Sequence, residues 1–337
     1  MLKLSYILPC YNVAPYIGRC IESIESQDIP QTEYEVICVD DCSKDNTVEV
    51  IKEYQKQYAN IRLVQHAVNQ TAGGARNTGI KEAKGEYLWF VDPDDAIFPN
   101  VLQILITKLA KSEVEILFFN YQTQNESGDT INSKYPLFEG ERSGLEYISK
   151  YANGTISVFT NIYSCVFLRE FILENKISYP RLRAGQDVVF IWETIICSKR
   201  CGIIDDVCYK YIRRSDSVTG SKGKYSARAI MSQSLLFAIE IDKLLEQYQI
   251  IDTSIIGTLE NAVKCAMNDD SRMILLAEYP EQKRFYEMLK VYSDSINKMH
   301  PFMNRKTRNI FRRYSGLFLV WLMVVRVYKI ASIIKEK

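Results

Sequence analysis

The stretch "GEYLWFVDPDD", Gly85 to Asp95, decides how the rest of the chain is read. Tyr87 to Val91 are apolar without alternation, the pattern of a strand covered on both faces and therefore of a parallel sheet. The run stops abruptly in Asp92, Asp94 and Asp95. Carboxylates that close repel one another, so a positive partner is expected at this strand end.

Working outward, "LSYIL" (4–8), "EVICV" (35–39), "IRLVQ" (61–65) and "EILFFNY" (115–121) read as further strands beside 86–91. Pro15–Gln27, Asn46–Tyr58, Ala72–Lys84 and Pro99–Lys111 read as the helices between them. This alternation predicts an α/β fold with a mostly parallel, Rossmann-like sheet flanked by helices. Ligands of such sheets sit at the carboxyl ends of the strands. Three segments fall on that rim: "PCYN" (9–12), "DDCSKDNT" (40–47) and "DPDD" (92–95).

Each segment has a plain and a chemical explanation. Asp94 or Asp95 capping a helix near Pro99 accounts for one acid but not for three. Asp92 and Asp94, one residue apart on a pleated strand end, face one small volume and suit Mg²⁺ or Mn²⁺ shared with a substrate phosphate. Ser43 and Asp45 have turn and cap spacing, whereas Asp40 and Asp41 follow their strand directly and can accept from a base or ribose. Gly73 and Gly74 open a helix carrying Arg76 and Asn77, with amides and a guanidinium suited to a diphosphate. Neither a dinucleotide fingerprint nor a P-loop is present.

The order "ILPCYN … VDDCSKDNT … NQTAGGARNTG … GEYLWFVDPDD" resembles the N-terminal half of family 2 glycosyltransferases, which have the GT-A fold. The resemblance implies transfer of a hexosyl or N-acetylhexosaminyl group from a nucleotide-diphosphate donor, a UDP-sugar, with inversion. It implies that Pro9, Tyr11 and Asn12 contact the nucleoside and that Asp41 reads uracil. It implies further that Asp92 serves ribose and metal, that Asp94 is the direct ligand of Mg²⁺ or Mn²⁺, and that Arg76 lies on the nucleotide side. "AGQDVVF" matches a motif ending in an Asp before an apolar helix, which makes Asp187 the implied catalytic base. Position 186 is Gln where Glu is commoner, and capping of the helix is the plain alternative for Asp187. Arg213, Arg214 and Ser217 in "YKYIRRSDSVTGS" are candidate donor-phosphate contacts.

The resemblance suggests a catalytic domain over 1–222, with a nucleotide half (1–120) and an acceptor half (121–222), followed by a helical region over 223–337. From Lys298 to Lys337 ten Lys or Arg face a single acid, Glu336, whereas the remainder is net acidic. The apolar run "GLFLVWLMVV" (316–325) is half the length that crosses a bilayer. A basic, apolar helix over 305–337 suits an anionic membrane surface or a lipid-linked saccharide acceptor. A helix packed on the body or on a second copy of the chain is the alternative.

Nine scattered cysteines without a CxxC pair, and two histidines, argue against zinc and against a disulfide framework. Together with a start too short for a leader's apolar run, they suggest a cytoplasmic protein, peripheral on the inner face of the cell membrane. Two function classes stand: a metal-dependent glycosyltransferase acting on a glycan or lipid-linked saccharide in polysaccharide biosynthesis, or a catalytically silent nucleotide-sugar-binding scaffold subunit. No RNA-reading motif accompanies the basic tail, so nucleic acid is not an expected partner.

Overall fold

A computed structural model describes residues 2–133, 140–152, 161–182, 185–214 and parts of 240–258. Ser217 and the tail helix expected over 305–337 lie outside the described residues. The chain divides into two compact units, Met1–Lys222 and Gly223–Lys337, and the architecture that follows belongs to the first.

The alternation of β-rich and helical patterns becomes β1 (Leu4–Cys10), α1 (Ile17–Glu25), β2 (Tyr34–Asp40), α2 (Thr47–Gln57), β3 (Ile61–Gln65), α3 (Thr71–Glu82) and β4 (Tyr87–Phe90). Then come β5 (Ala96–Ile97), α4 (Val101–Leu109), β6 (Ile116–Asn125), β7 (Thr130–Ser133), α5 (Gly144–Ala152), β8 (Cys165–Leu168), α6 (Arg169–Glu174), α7 (Gln186–Cys197) and β9 (Cys201–Arg213). Among the described residues one sheet has the order β3-β2-β1-β4-β8-β6-β9-β5, with β7 beside β6. The run from β3 to β4 is parallel, as the unbroken apolar strands require. Beyond β4 the sheet is mixed: β8 runs antiparallel to both β4 and β6, β5 antiparallel to β9, and β6 parallel to β9.

Every residue of β1 and β2 is buried, which fits strands covered on both faces. On one face Tyr6, Leu8, Trp89 and Val91 pack with Ile17, Ile21 and Ile24 of α1 and Leu102 and Leu105 of α4. On the other face α3 lies directly on β1: a Cβ at Gly79 would collide with Ile7 Cγ2. The apolar spacing of α1 puts Ile17, Cys20, Ile21 and Ile24 on its buried side. Phe90 meets Phe190 of α7 edge-on at 5.6 Å and Tyr179 at 5.4 Å, tying α7 and the segment before it to the same core.

The register fixes the rim. Cys10 pairs with Asp40 and Ile7 with Phe90, so the first three rim segments leave the sheet at nearly one level. Asp92 and Asp94 therefore sit in a turn just past β4, where Asp95 N donates to Asp92 O at 3.0 Å, rather than on a pleated strand end. The neighbouring strand β1 supplies its last partner to Val91, whose N donates to Ile7 O at 3.1 Å, and among the described residues no strand carries the ladder further.

Candidate active site

The rim segments hold one another before any ligand is considered. Asn12, in the left-handed region at φ 52°, donates its N–H to Ser43 Oγ at 3.0 Å, and its Oδ1 accepts from Lys44 N at 2.7 Å. Val13 N donates to Thr47 Oγ1 and Ala14 N to Asp45 Oδ2. The turn-and-cap spacing of Ser43 and Asp45 is thus used to stitch the 9–14 loop to the 40–47 loop. Pro9 is buried inside β1 opposite Val39, and Tyr11 projects beside it at 47% exposure.

Asp41 is set by residues that sequence reasoning did not single out. Its Oδ1 accepts from His66 Nδ1 at 2.8 Å and from Gln70 N at 2.7 Å, while His66 Nε2 meets Thr78 Oγ1 at 2.9 Å. Asp41 Oδ2 is buried and has no hydrogen-bond partner among the described residues. A buried acceptor left open is costly unless a ligand fills it.

The acidic turn carries two guanidinium groups. Arg76 Nη2 donates to Asp92 Oδ1 at 2.7 Å, and Arg214 Nη2 donates to Asp94 Oδ2 at 2.6 Å. Arg19 Nη2 adds a bond to the backbone oxygen of Asp94 at 2.6 Å. The Arg214 guanidinium lies 4.0 Å over the ring of Tyr16, a cation–π contact. Arg76 keeps its charge firmly: burial works against it, and Asp92, Tyr179 and Asp187 outweigh that. Among the described residues its buried Nε, like Asp41 Oδ2, has no hydrogen-bond partner. Asp94 is raised above the ordinary carboxylate range by burial and by Asp92, against the pull of Arg214.

Asp95 closes the turn through its N–H, but its side chain does not cap a helix. It is 1% exposed, its Oδ2 accepting from Tyr209 Oη at 2.6 Å and its Oδ1 from Ile212 N at 2.7 Å. The helix that follows takes Asn100 as its cap, so neither Asp94 nor Asp95 serves there.

Asp187 is the second residue of α7, after a left-handed Gly185 at φ 74°. It lies in the first turn, where the helix dipole favours a negative charge. Burial lifts its pKa, Arg76 pulls it down and Asp92 pushes it up, so Asp187, Arg76 and Asp92 share one electrostatic environment. Gln186 beside it is 6% exposed and accepts from Gly73 N at 3.0 Å, fastening α7 to the start of α3. Thr71 there takes φ 71°, a rare conformation for a β-branched residue, which marks the loop into α3 as a strained segment. Asn77 pairs its side-chain amide with both backbone groups of Tyr179, at 2.9 and 2.8 Å. The structure thus brings Arg76, Asp92, Asp94, Asp187 and Arg214 to one rim, with Asp41 past the end of β2, on the far side of β1 from β4. Among the described residues no group of three or more His, Cys, Asp or Glu is gathered as a metal cage.

An α/β sheet with this acidic turn defines a GT-A glycosyltransferase fold. The chain belongs to glycosyl transferase family 2, whose profile matches residues 5–175. It is 32% identical over 223 residues to a poly(ribitol-phosphate) β-glucosyltransferase of Bacillus spizizenii, over 64% of this chain and 33% of that protein. It is 28% identical to the poly(ribitol-phosphate) β-N-acetylglucosaminyltransferase TarS of Staphylococcus aureus, over 72% of this chain and 41% of that protein. The chain thus spans well under half the length of these two relatives. The fold is shared with the crystal structure of S. aureus TarS 1–349 in complex with UDP, at a TM-score of 0.64 and 22% identity over 85% of this chain and 78% of that one. A mannosyltransferase of Pyrobaculum calidifontis, in complex with GDP-Man and Mn²⁺, has the same fold at a TM-score of 0.52 and 16% identity over 97% and 87%.

Proposed function

We propose that the Met1–Lys222 unit is a metal-dependent, inverting glycosyltransferase that takes its sugar from a UDP-sugar and places it on a hydroxyl of a surface glycan. The observation that carries this is the Arg76–Asp92 pair at 2.7 Å with Asp187 at the start of α7 in the same electrostatic environment, where burial and Asp92 hold it above the ordinary carboxylate range. A carboxylate so raised is a better base toward an acceptor hydroxyl than an ordinary one.

The chain's residues divide the work. Asp41, with one oxygen fixed by His66 and Gln70, offers Oδ2 to the N–H edge of uracil. Tyr11, at the exposed end of the β1 rim, flanks the base, with Pro9 and Asn12 shaping the loop beneath it. Asp92 faces the ribose. Asp94 and Asp92 suit a hard divalent cation: each is partly exposed, at 26% and 29%, and has an oxygen beyond the one bonded to its arginine. Two carboxylates without a full cage fit an ion that takes its other ligands from diphosphate and water. Mg²⁺ or Mn²⁺ bound there would neutralise charge on the departing diphosphate. Arg76 and Arg214 add fixed positive charge to the same rim. In the transfer the acceptor oxygen bonds to the anomeric carbon as its proton passes to Asp187. The bond to the diphosphate oxygen breaks, and that oxygen keeps the electron pair.

The named relatives support a uridine donor and a glucosyl or N-acetylglucosaminyl group, with a polyol-phosphate polymer as one acceptor class. The domain division at residue 222, the lipid-surface role of 305–337, association with a second copy, and a cytoplasmic, membrane-peripheral location belong to the same proposal. The deciding experiment is a screen of UDP- and GDP-sugars with Mn²⁺, following nucleoside diphosphate release with and without acceptor. A silent scaffold subunit would bind a nucleotide sugar and release nothing under any acceptor. Failure to bind any nucleotide sugar would end the proposal.

A further inference from the structure

The buried carboxylate of Asp95 has no place in the transfer chemistry, yet it is among the most completely enclosed acids of the rim. Burying a charged group is expensive unless its oxygens are satisfied, and here both are. A continuous chain runs from Asp92 N to Tyr209 Oη at 3.2 Å and on from Tyr209 Oη to Asp95 Oδ2 at 2.6 Å. The other oxygen of Asp95 accepts from Ile212 N at 2.7 Å. Tyr209 is itself fixed, its ring stacked on Tyr163 at 4.5 Å, and the backbone oxygen of Tyr163 accepts from Trp89 Nε1 at 2.9 Å. The two termini of this arrangement are informative. One end holds the backbone of Asp92. The other holds β9 two residues before Arg214, whose guanidinium meets Asp94 Oδ2 at 2.6 Å.

We propose that Asp95 and Tyr209 are a positioning pair for the diphosphate and cation end of the site, setting the Asp92–Asp94 turn and Arg214 against each other. Neither touches donor or acceptor. They act through Asp92 and Arg214, and the base end of the site at Asp41 is held separately by His66 and Gln70. The inference rests on the proposed UDP-sugar reading. It differs from a general packing role in one respect: it predicts a loss confined to one end of the nucleotide.

The test uses the full chain and two probes, uridine alone and UDP with Mn²⁺, with binding followed by ligand-observed NMR and by Mn²⁺ electron paramagnetic resonance. Asp95→Asn keeps the shape but leaves a single acceptor oxygen for the two donors Tyr209 Oη and Ile212 N; Tyr209→Phe removes the hydroxyl and keeps the ring. Both variants are expected to weaken UDP·Mn²⁺ binding about tenfold, the effect of one misplaced charge-assisted contact, while uridine binding stays at the wild-type level. Combined with Arg214→Gln, Asp95→Asn is expected to add less than it does alone, because the two act on one contact. Equal weakening of both probes, full additivity with Arg214→Gln, or unchanged UDP·Mn²⁺ binding would each overturn the inference. Should Asp95→Asn fail to fold, the milder Tyr209→Phe carries the comparison. A wild-type chain that binds neither probe would instead end the proposed function, and this inference with it.

Discussion

Arg76 Nη2 donates to Asp92 Oδ1 at 2.7 Å, and the guanidinium is the more enclosed of the two, at 7% exposure against 29%. The pair therefore has one face in protein and one toward the rim. Removing the arginine strands Asp92 and Asp187 without their shared counter-charge. Arg76→Ala is expected to cost about 2 kcal/mol of folding stability, below the range for fully buried pairs because Asp92 keeps contact with water. Arg76→Lys should recover most of that loss but not nucleotide affinity, since an ammonium lacks the planar fork. Urea denaturation beside UDP titration separates the two effects.

Asp187→Asn should leave UDP-sugar binding intact and reduce transfer by about 10²–10⁴-fold, the usual contribution of a positioned base. In the wild-type enzyme the rate should rise with pH as Asp187 loses its proton, with a midpoint above the ordinary carboxylate range because burial and Asp92 hold the proton on. A pre-steady-state burst with a fixed acceptor, measured across pH, checks both statements.

His66→Phe removes the donor that fixes Asp41 Oδ1. The expected result is about tenfold weaker binding of uridine nucleotides, from one lost buried hydrogen bond and a freed carboxylate. Restoration by His66→Gln, whose amide can donate to Asp41, would place the effect on orientation rather than on ring packing.

Asp95 is pushed well above the ordinary carboxylate range by burial, then by Asp94 and Asp92, against the bonds from Ile212 N and Tyr209 Oη. A carboxyl whose folded-state pKa is raised favours the native state while protonated. That contribution is complete below the unfolded value of about 4 and fades as pH climbs through the raised one. Melting curves of wild type and Asp95→Asn should therefore converge, or cross in favour of the variant, as pH rises over that interval. A stability gap independent of pH would contradict it.

Gly73→Ala drives a Cβ into Gln186 Oε1 and to 3.1 Å from Tyr179 Cβ. The Gly73–Gln186 bond at 3.0 Å cannot survive unchanged, so the Gln186 side chain must turn away and one fastening of α7, which bears Asp187, to α3 is lost. The expected outcome is a destabilisation of about 1–3 kcal/mol, in the range for overpacking, with a fall in turnover larger than the fall in donor affinity. Thermal melts and separate kcat and KM values test it.

The first half of the sheet was legible because its signals are local. Unbroken apolar runs mark β1, β2 and β4, and the acids that close β2 and β4 mark the rim. What escaped is long-range. Tyr209 reaches Asp95 across 114 positions and Gln186 reaches Gly73 across 113, and no periodicity announces either contact. His66 lies only 25 positions from Asp41, but a lone histidine after an edge strand carries no signal of its own. The antiparallel insertion of β8 between β4 and β6 was hidden for a different reason. "CVFL" is as uniformly apolar as the parallel strands, and direction leaves no trace in composition.

The side-chain amide of Asn77 meets both the N–H and the C=O of Tyr179, as one rung of a β-ladder would. Tyr179 in turn stacks on Phe190 at 4.1 Å, so this single rung joins α3 to the helix that bears Asp187. For anyone building chimaeras between members of the family, a junction placed between residues 77 and 179 therefore cuts across this fastening. A graft that replaces the segment around Tyr179 without the helix carrying Asn77 exchanges one half of a fastening and leaves the other behind. The two must travel together.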